Sequence, residues 1–160
     1  MILRRLLLPI LAALSVAGCA SPQLVRDKGG ATSTLEDLRG HVVVLTFWAD
    51  WCTPCLAQMS VIADSIATFP NRGIVFLPVY LQEKPGHTLD SWLRTQPEWF
   101  RDQIVWANTP FLVQWDRTAL PYTWVIGPNG KVVEKFNGMI DEQRAPLFKA
   151  SLQRGFAAVK

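Results

Sequence analysis

Three cysteines carry most of the reactive chemistry open to this 160-residue chain, and two of them, Cys52 and Cys55, are separated only by Thr53-Pro54. Two thiols at that spacing can close a disulfide and be opened again, so thiol–disulfide exchange is the first chemistry to weigh. A structural staple is the weak alternative, because closing so short a loop removes little chain entropy. A zinc site needs four ligands. The chain has two histidines, His41 and His87, and neither has the paired spacing of a zinc motif. The redox reading stands if the fold puts both sulfurs where a thiolate is stable.

The flanking sequence supplies that setting. Val42 to Trp48 is an unbroken apolar run rich in β-branched and aromatic residues, the pattern of a strand buried on both faces. Ala49-Asp50-Trp51 is a short connection, in which Asp50 reads as a solvated loop charge able to act on the thiolates only at short range. After the cysteines the period changes. Leu56, Met59, Ile62, Ala63, Ile66 and Phe69 share one face of a helix. The pair thus sits where a buried strand hands over to a helix N-terminus, whose unpaired N–H groups and positive dipole end favour a thiolate.

The third cysteine belongs to different chemistry. Arg4-Arg5, an apolar stretch from Leu6 to Ala17 and then Gly18-Cys19 form a secretory signal too short to span a membrane, which takes about 20 residues. Val16-Ala17-Gly18-Cys19 resembles the bacterial lipobox, which implies cleavage before Cys19 and a diacylglycerol on its sulfur. An ordinary signal peptide and a core helix are the alternatives. Ala20 in place of an aspartate leans towards the outer membrane in a host that has one. With Cys19 lipidated, no odd thiol is left for an oxidising compartment. The expected organisation is a lipoprotein signal over 1–18, a lipidated Cys19 and flexible tether over 19–33, and one domain over 34–160. A net charge of +3 without basic runs argues against nucleic-acid binding, and 49% apolar content suffices for a core. Most of the seven tryptophans should be core, with one or two exposed.

The rest of the chain reads as follows. Thr34–Leu38 is a helical turn closed by Gly40. Pro70 to Gly73 is a turn before Ile74–Leu81, a second apolar strand reached by the crossover helix and so parallel to the first. A helix capped by Thr88 should carry Leu89, Trp92 and Leu93. The stretch 97–111 has no clear period and room for a short helix and a short strand, with another helical turn after Pro110. Two β runs around Gly127-Pro128-Asn129-Gly130 predict a hairpin, and Asp141 to Phe156 a final helix capped by Asp141.

This order resembles the thioredoxin fold, and most closely the extracytoplasmic, membrane-anchored TlpA/ResA-like thiol–disulfide oxidoreductases. The resemblance rests on Phe47-Trp48-Ala49-Asp50-Trp51-Cys52-Thr53-Pro54-Cys55, the Leu120-Pro121 step 66 residues after Cys55, the hairpin turn, and the approach segment Leu35 to Gly40. It covers about Thr34 to Phe156. It implies an α/β fold with a mixed central sheet flanked by helices on both faces. It implies a cis Pro121 facing the cysteines, where the base rate alone favours trans, and a substrate-contacting surround of Trp51, Thr53, Pro54, Leu120 and Pro121. It implies Cys52 as the exposed attacking thiolate and Cys55 as the resolving thiol. No metal and no cofactor beyond the disulfide is expected.

Positions 46, 58 and 60 depart from the family pattern. Thioredoxins carry a buried Asp six residues before the first cysteine, where this chain has Thr46; TlpA/ResA-like proteins often carry Glu at the position of Gln58. Met59-Ser60 also replaces Met-Pro. Both proton acceptors for Cys55 are neutral here, leaving water or Glu36. Thr53-Pro54 lacks the histidine of strong oxidants of the fold, which points to a reductase of oxidised envelope proteins, fed by a membrane thiol-transfer donor. A dithiol oxidase or isomerase remains open, as does a copper- or partner-binding lipoprotein, though copper carriers of the fold usually space their cysteines by three residues and add a histidine. Nothing in the chain resembles an added dimerisation domain, so a monomer is expected.

Overall fold

The computed structural model describes residues 25–81, 89, 93–115 and 119–158. In chain order the strands are β1 (Val25–Asp27), β2 (Thr32–Ser33), β3 (Val42–Trp48), β4 (Ile74–Tyr80), β5 (Val105–Ala107), β6 (Tyr122–Ile126) and β7 (Val132–Asn137). The helices are α1 (Thr53–Ala67), α2 (Glu98–Arg101), α3 (Thr109–Leu112) and α4 (Ala145–Ala157). The strands form one mixed sheet in the order β2-β1-β5-β4-β3-β6-β7. β4 runs parallel to β3 and to β5, while β6 pairs antiparallel with both β3 and β7.

β3 is central because every one of its residues is buried. Val43, Leu45 and Phe47 point into a cluster with Val79, Trp124 and Ile126, and Val42 and Val44 point the other way, onto Ile62 of α1 and Phe148 and Leu152 of α4. Each fully buried side chain of this kind stabilises the fold by about 1.5–3 kcal/mol, which is why the run cannot slip its register. Gly155 lets α4 lie close on β3, since a Cβ there would meet Val42 Cγ2 at 3.1 Å. The second face is covered by the 35–40 turn and by residues from α3, with Leu35, Leu38, Phe111 and Trp115 packed on the sheet. Helical cover on both faces is as expected.

The tether is where the structure corrects the reading most. Residues 25–33 form a strand, a turn and a strand at the sheet edge. β1 pairs antiparallel with β5 and turns back through Gly29-Gly30 into β2, and Val25 is only 1% exposed. A few apolar residues in a polar stretch are too weak a signal, because the partner strand β5 is about eighty residues away. The signal over 1–18, Cys19 and the first residues of the tether lie outside the described residues, as does the Thr88 cap. Leu89 and Leu93 are both helical and buried.

Smaller differences have local causes. The helical turn expected after Pro110 begins at Thr109, because the Asn108 side chain accepts from the Phe111 N–H and caps it there. Asp141 accepts from the Arg144 N–H in a turn ahead of α4 rather than capping the helix itself. The fully buried positions of α1 are Cys55, Gln58, Met59, Ile62 and Ser65, so two polar residues join Met59 and Ile62, while Leu56 and Ile66 of the expected face are partly buried against the core. Gln58 and Ser65 are 0% and 1% exposed.

Candidate active site

β3 ends at Trp48, and the chain turns through a Cys52 N–H to Ala49 carbonyl bond of 3.1 Å before α1 starts at Thr53. Cys52 is the N-cap of α1 and makes no side-chain capping bond, and no acidic residue lies in the first turn. The positive end of the helix dipole is therefore left to the sulfurs. Cys52 and Cys55 are joined in a disulfide with the sulfurs 2.04 Å apart. The expectation of an exposed Cys52 is corrected in this oxidised state. Cys52 is 4% exposed and Cys55 is fully buried, in an apolar cluster with Trp48, Met59, Tyr80 and Phe100. Of the two, only Cys52 keeps a window to solvent.

The expected surround is divided by burial. Trp51, Thr53 and Pro54 are exposed, Trp51 by 48%, so they form the rim. Leu120 is half-buried and packs on the cluster that holds both cysteines. The Leu120–Pro121 peptide is cis, and Pro121, which has no N–H to offer the sheet, immediately precedes β6. Trp99 is the other exposed tryptophan among the described residues, at 41%, beside an apolar hollow lined by Leu56, Met59, Pro97 and Phe100.

Beneath Cys55 lies a buried polar network that sequence reasoning located without its geometry. Thr46, Gln58 and Thr123 are all fully buried. Gln58 Nε2 donates to Thr46 Oγ1 at 3.1 Å, and Gln58 Oε1 accepts from the Ile140 N–H at 3.1 Å. A backbone N–H can only donate, so the amide orientation is forced. Thr46 Oγ1 donates to the Tyr122 carbonyl at 3.2 Å and lies 2.7 Å from Thr123 Oγ1. The Gly138 N–H donates to the Pro121 carbonyl at 3.0 Å. The 138–140 segment thus ties Pro121 and Gln58 into one frame. Each of these side chains is neutral.

Glu36, the alternative acceptor for the Cys55 proton, is removed by its position. It is exposed, pairs with Arg39 at 2.8 Å, and stands in the turn that covers the sheet face opposite α1. Asp50 is not the freely solvated charge expected. It is half-buried, and its Oδ1 accepts from the Tyr80 hydroxyl at 3.3 Å. Burial, then the charge and hydrogen bond of Asp50, push the Tyr80 phenol up to about 12. Sequence reasoning did not single out Tyr80. Its signal, a polar tip at the end of a buried strand, means little without the β3–β4 register that sets it beside Trp48.

Among the described residues, no three His, Cys, Asp or Glu side chains cluster as metal ligands, and no helix is long and apolar enough to cross a membrane.

Comparison with known proteins agrees with this geometry. The pattern of the AhpC/TSA family matches residues 18–148. The chain is 29% identical over 126 residues to the thiol-disulfide oxidoreductase ResA of Bacillus subtilis (strain 168), covering 78% of this chain and 69% of that protein. It is 26% identical over 118 residues to the thiol:disulfide interchange protein DsbE homolog of Paracoccus denitrificans (strain Pd 1222), covering 73% and 63%. A Chlorobium tepidum protein provisionally named thiol:disulfide interchange protein DsbE superposes with a TM-score of 0.67 at 24% identity, over 84% of this chain and 94% of that one, which shows the fold.

Proposed function

The chain belongs to the AhpC/TSA family, and from that membership and its cysteine pair we propose that it is an extracytoplasmic thiol–disulfide oxidoreductase that reduces disulfides of envelope proteins. The observation that carries this is the Cys52–Cys55 disulfide at the junction of buried β3 and the N-terminus of α1, beside Leu120.

The reduced pair performs the exchange in two steps. The Cys52 thiolate, stabilised by the α1 N-terminus, attacks one sulfur of a substrate disulfide, forming a mixed disulfide and expelling the other substrate sulfur as a thiolate. Cys55 then gives up its proton and attacks Cys52 Sγ. The mixed disulfide breaks, the second substrate thiolate leaves, and Cys52–Cys55 closes. Two electrons pass to the substrate, and its two thiolates take up two protons. The apolar, buried setting of Cys55 keeps the resolving sulfur away from other oxidants until a substrate is attached. Trp51, Thr53, Pro54 and Leu120 form the exposed and half-buried rim an extended peptide would meet, pairing with backbone near Leu120 as an added strand.

The further parts of the reading are a lipid on Cys19 after removal of 1–18, a position at the membrane facing the periplasm or extracytoplasmic space, and a membrane thiol-transfer protein as electron donor. The signal-like N-terminus supports them.

Two measurements test the reading. Equilibration in glutathione or dithiothreitol buffers should give a reduction potential below about −230 mV, and a value above about −150 mV would make the protein an oxidant. A Cys55→Ser variant should accumulate a mixed disulfide with reducible substrate, visible as an added mass on Cys52. A variant that formed none, with wild-type protein unable to reduce insulin disulfides, would overturn the assignment.

A further inference from the structure

The space between α1 and α2 is incompletely filled. An apolar hollow of about 160 Å³ is left there, walled by Leu56, Met59 and Ser60 of α1 and by Pro97, Trp99 and Phe100. Its inner wall is the outer layer of the cysteine cluster, because Met59 and Phe100 are buried with both cysteines and Leu56 packs on the same group. Its outer side stays open. Position 60 carries a short, exposed serine, and the Trp99 ring packs edge-on against Phe100, at 5.7 Å, yet remains 41% exposed. No charged residue among those described lines it. An apolar cavity of about 150 Å³ takes up benzene, so the space matches one phenyl or branched aliphatic group. A charged group would lose hydration there without gaining a partner.

Its position along α1 decides what can reach it. The Leu56 N–H donates to the Cys52 carbonyl at 3.1 Å, so the hollow begins one helical turn from the N-cap cysteine. Leu56 and Ser60 stand about 6 and about 12 Å from Cys52 along the helix axis, a distance an extended peptide covers in about two to four residues. We propose that the hollow takes one large apolar side chain, aromatic or branched aliphatic, of the substrate polypeptide, about two to four residues from the cysteine that exchanges with Cys52. This rests on the exchange chemistry proposed above. It makes Met59, Ser60 and Trp99 specificity-determining residues, which favour oxidised proteins whose disulfide has an apolar neighbour. The exposed tryptophan and the outer wall are then covered while substrate is attached, and their burial adds to its affinity.

The test uses two peptides alike except for Phe or Ser about three residues from a single cysteine. In the full-length protein, isotope-labelled methionine methyl groups report on the hollow directly, because Met59 lines it; its signal is assigned by its loss in Met59→Leu. With the peptide cysteine S-methylated, so that no exchange occurs, the Phe peptide should shift the Met59 signal by its ring current and the Ser peptide should not. Ser60→Leu, which fills the hollow from α1, should abolish that shift. As mixed disulfides with a small thiol, the two peptides should differ about tenfold in kcat/KM for reduction, the gain from half-burying a phenyl group. Ser60→Leu should bring the ratio close to one. A Met59 signal indifferent to the Phe peptide overturns the proposal, as does a ratio near one in the wild-type protein. So does a Met59 signal that moves with protein concentration alone, which would give the hollow to a second copy. If neither peptide is reduced, the oxidoreductase reading fails, and the methyl signal still decides whether the hollow binds the side chain.

Discussion

Replacing Gln58 by glutamate asks whether the polar network under Cys55 is as closed to charge as its geometry implies. The two side chains have the same shape. In its protonated form the introduced carboxyl would reproduce the amide, its carbonyl accepting from the Ile140 N–H and its hydroxyl donating to Thr46 Oγ1, the two partners Gln58 holds now at 3.1 Å each. In its ionised form it has no donor for Thr46, whose own hydroxyl already serves the Tyr122 carbonyl. It would also be a charge at a position with 0% exposure. The folded state therefore holds the proton, and the carboxyl's folded pKa rises above its unfolded value of about 4.3.

Such a group costs nothing below the unfolded pKa, and its penalty grows as pH rises towards the folded pKa. Each unit of separation is worth about 1.4 kcal/mol, so a folded pKa at or above 7 means a loss of about 3.5 kcal/mol at pH 7. That is a large part of the roughly 5–15 kcal/mol typical of a domain. Urea unfolding followed by tryptophan fluorescence at pH 4 and pH 7.5 should show Gln58→Glu near wild type at the lower pH and well below it at the higher. Gln58→Ala is the control. It leaves the Ile140 N–H unpaired and should lose about 1–3 kcal/mol with no comparable pH dependence. A Gln58→Glu deficit that is the same at both pH values, or absent at pH 7.5, would refute the reasoning, because it would mean water reaches the carboxylate.

Three further outcomes are expected. Val25→Ala should lower stability by about 2 kcal/mol in urea unfolding, because Val25 is core and not tether; a change near zero would return residues 25–33 to the tether. Gly40→Ala should cost about 1 kcal/mol and leave disulfide exchange unchanged, since a Cβ there meets nothing within 4 Å and only the φ of +89° is strained. In an alkaline titration read by phenolate absorbance, Tyr80 should ionise near pH 12, and the late step should vanish in Tyr80→Phe. Its raised pKa adds stability that is intact below about pH 10 and lost as pH climbs towards 12.

What the sequence by itself determined were the features written in consecutive residues. Val42 to Trp48 could only be a doubly buried strand, the change of period after Cys55 could only be a helix, and Asn129-Gly130 between two β runs could only be a hairpin turn. Those three statements place both cysteines at a helix N-terminus, which is most of the chemistry. Tertiary structure decided whatever depends on partners far away in the chain. Val25 is core because β5 lies beside it, about eighty residues on. Gln58 is an inward, satisfied amide because Thr46 and the Ile140 N–H converge on it from two other elements. Glu36 and Asp50 stand elsewhere than expected for the same reason. The sheet puts one on the face away from α1, and the β3–β4 register brings Tyr80 to the other. Periodicity reports which face of an element is apolar; which polar groups meet across that face is fixed only when the elements pack.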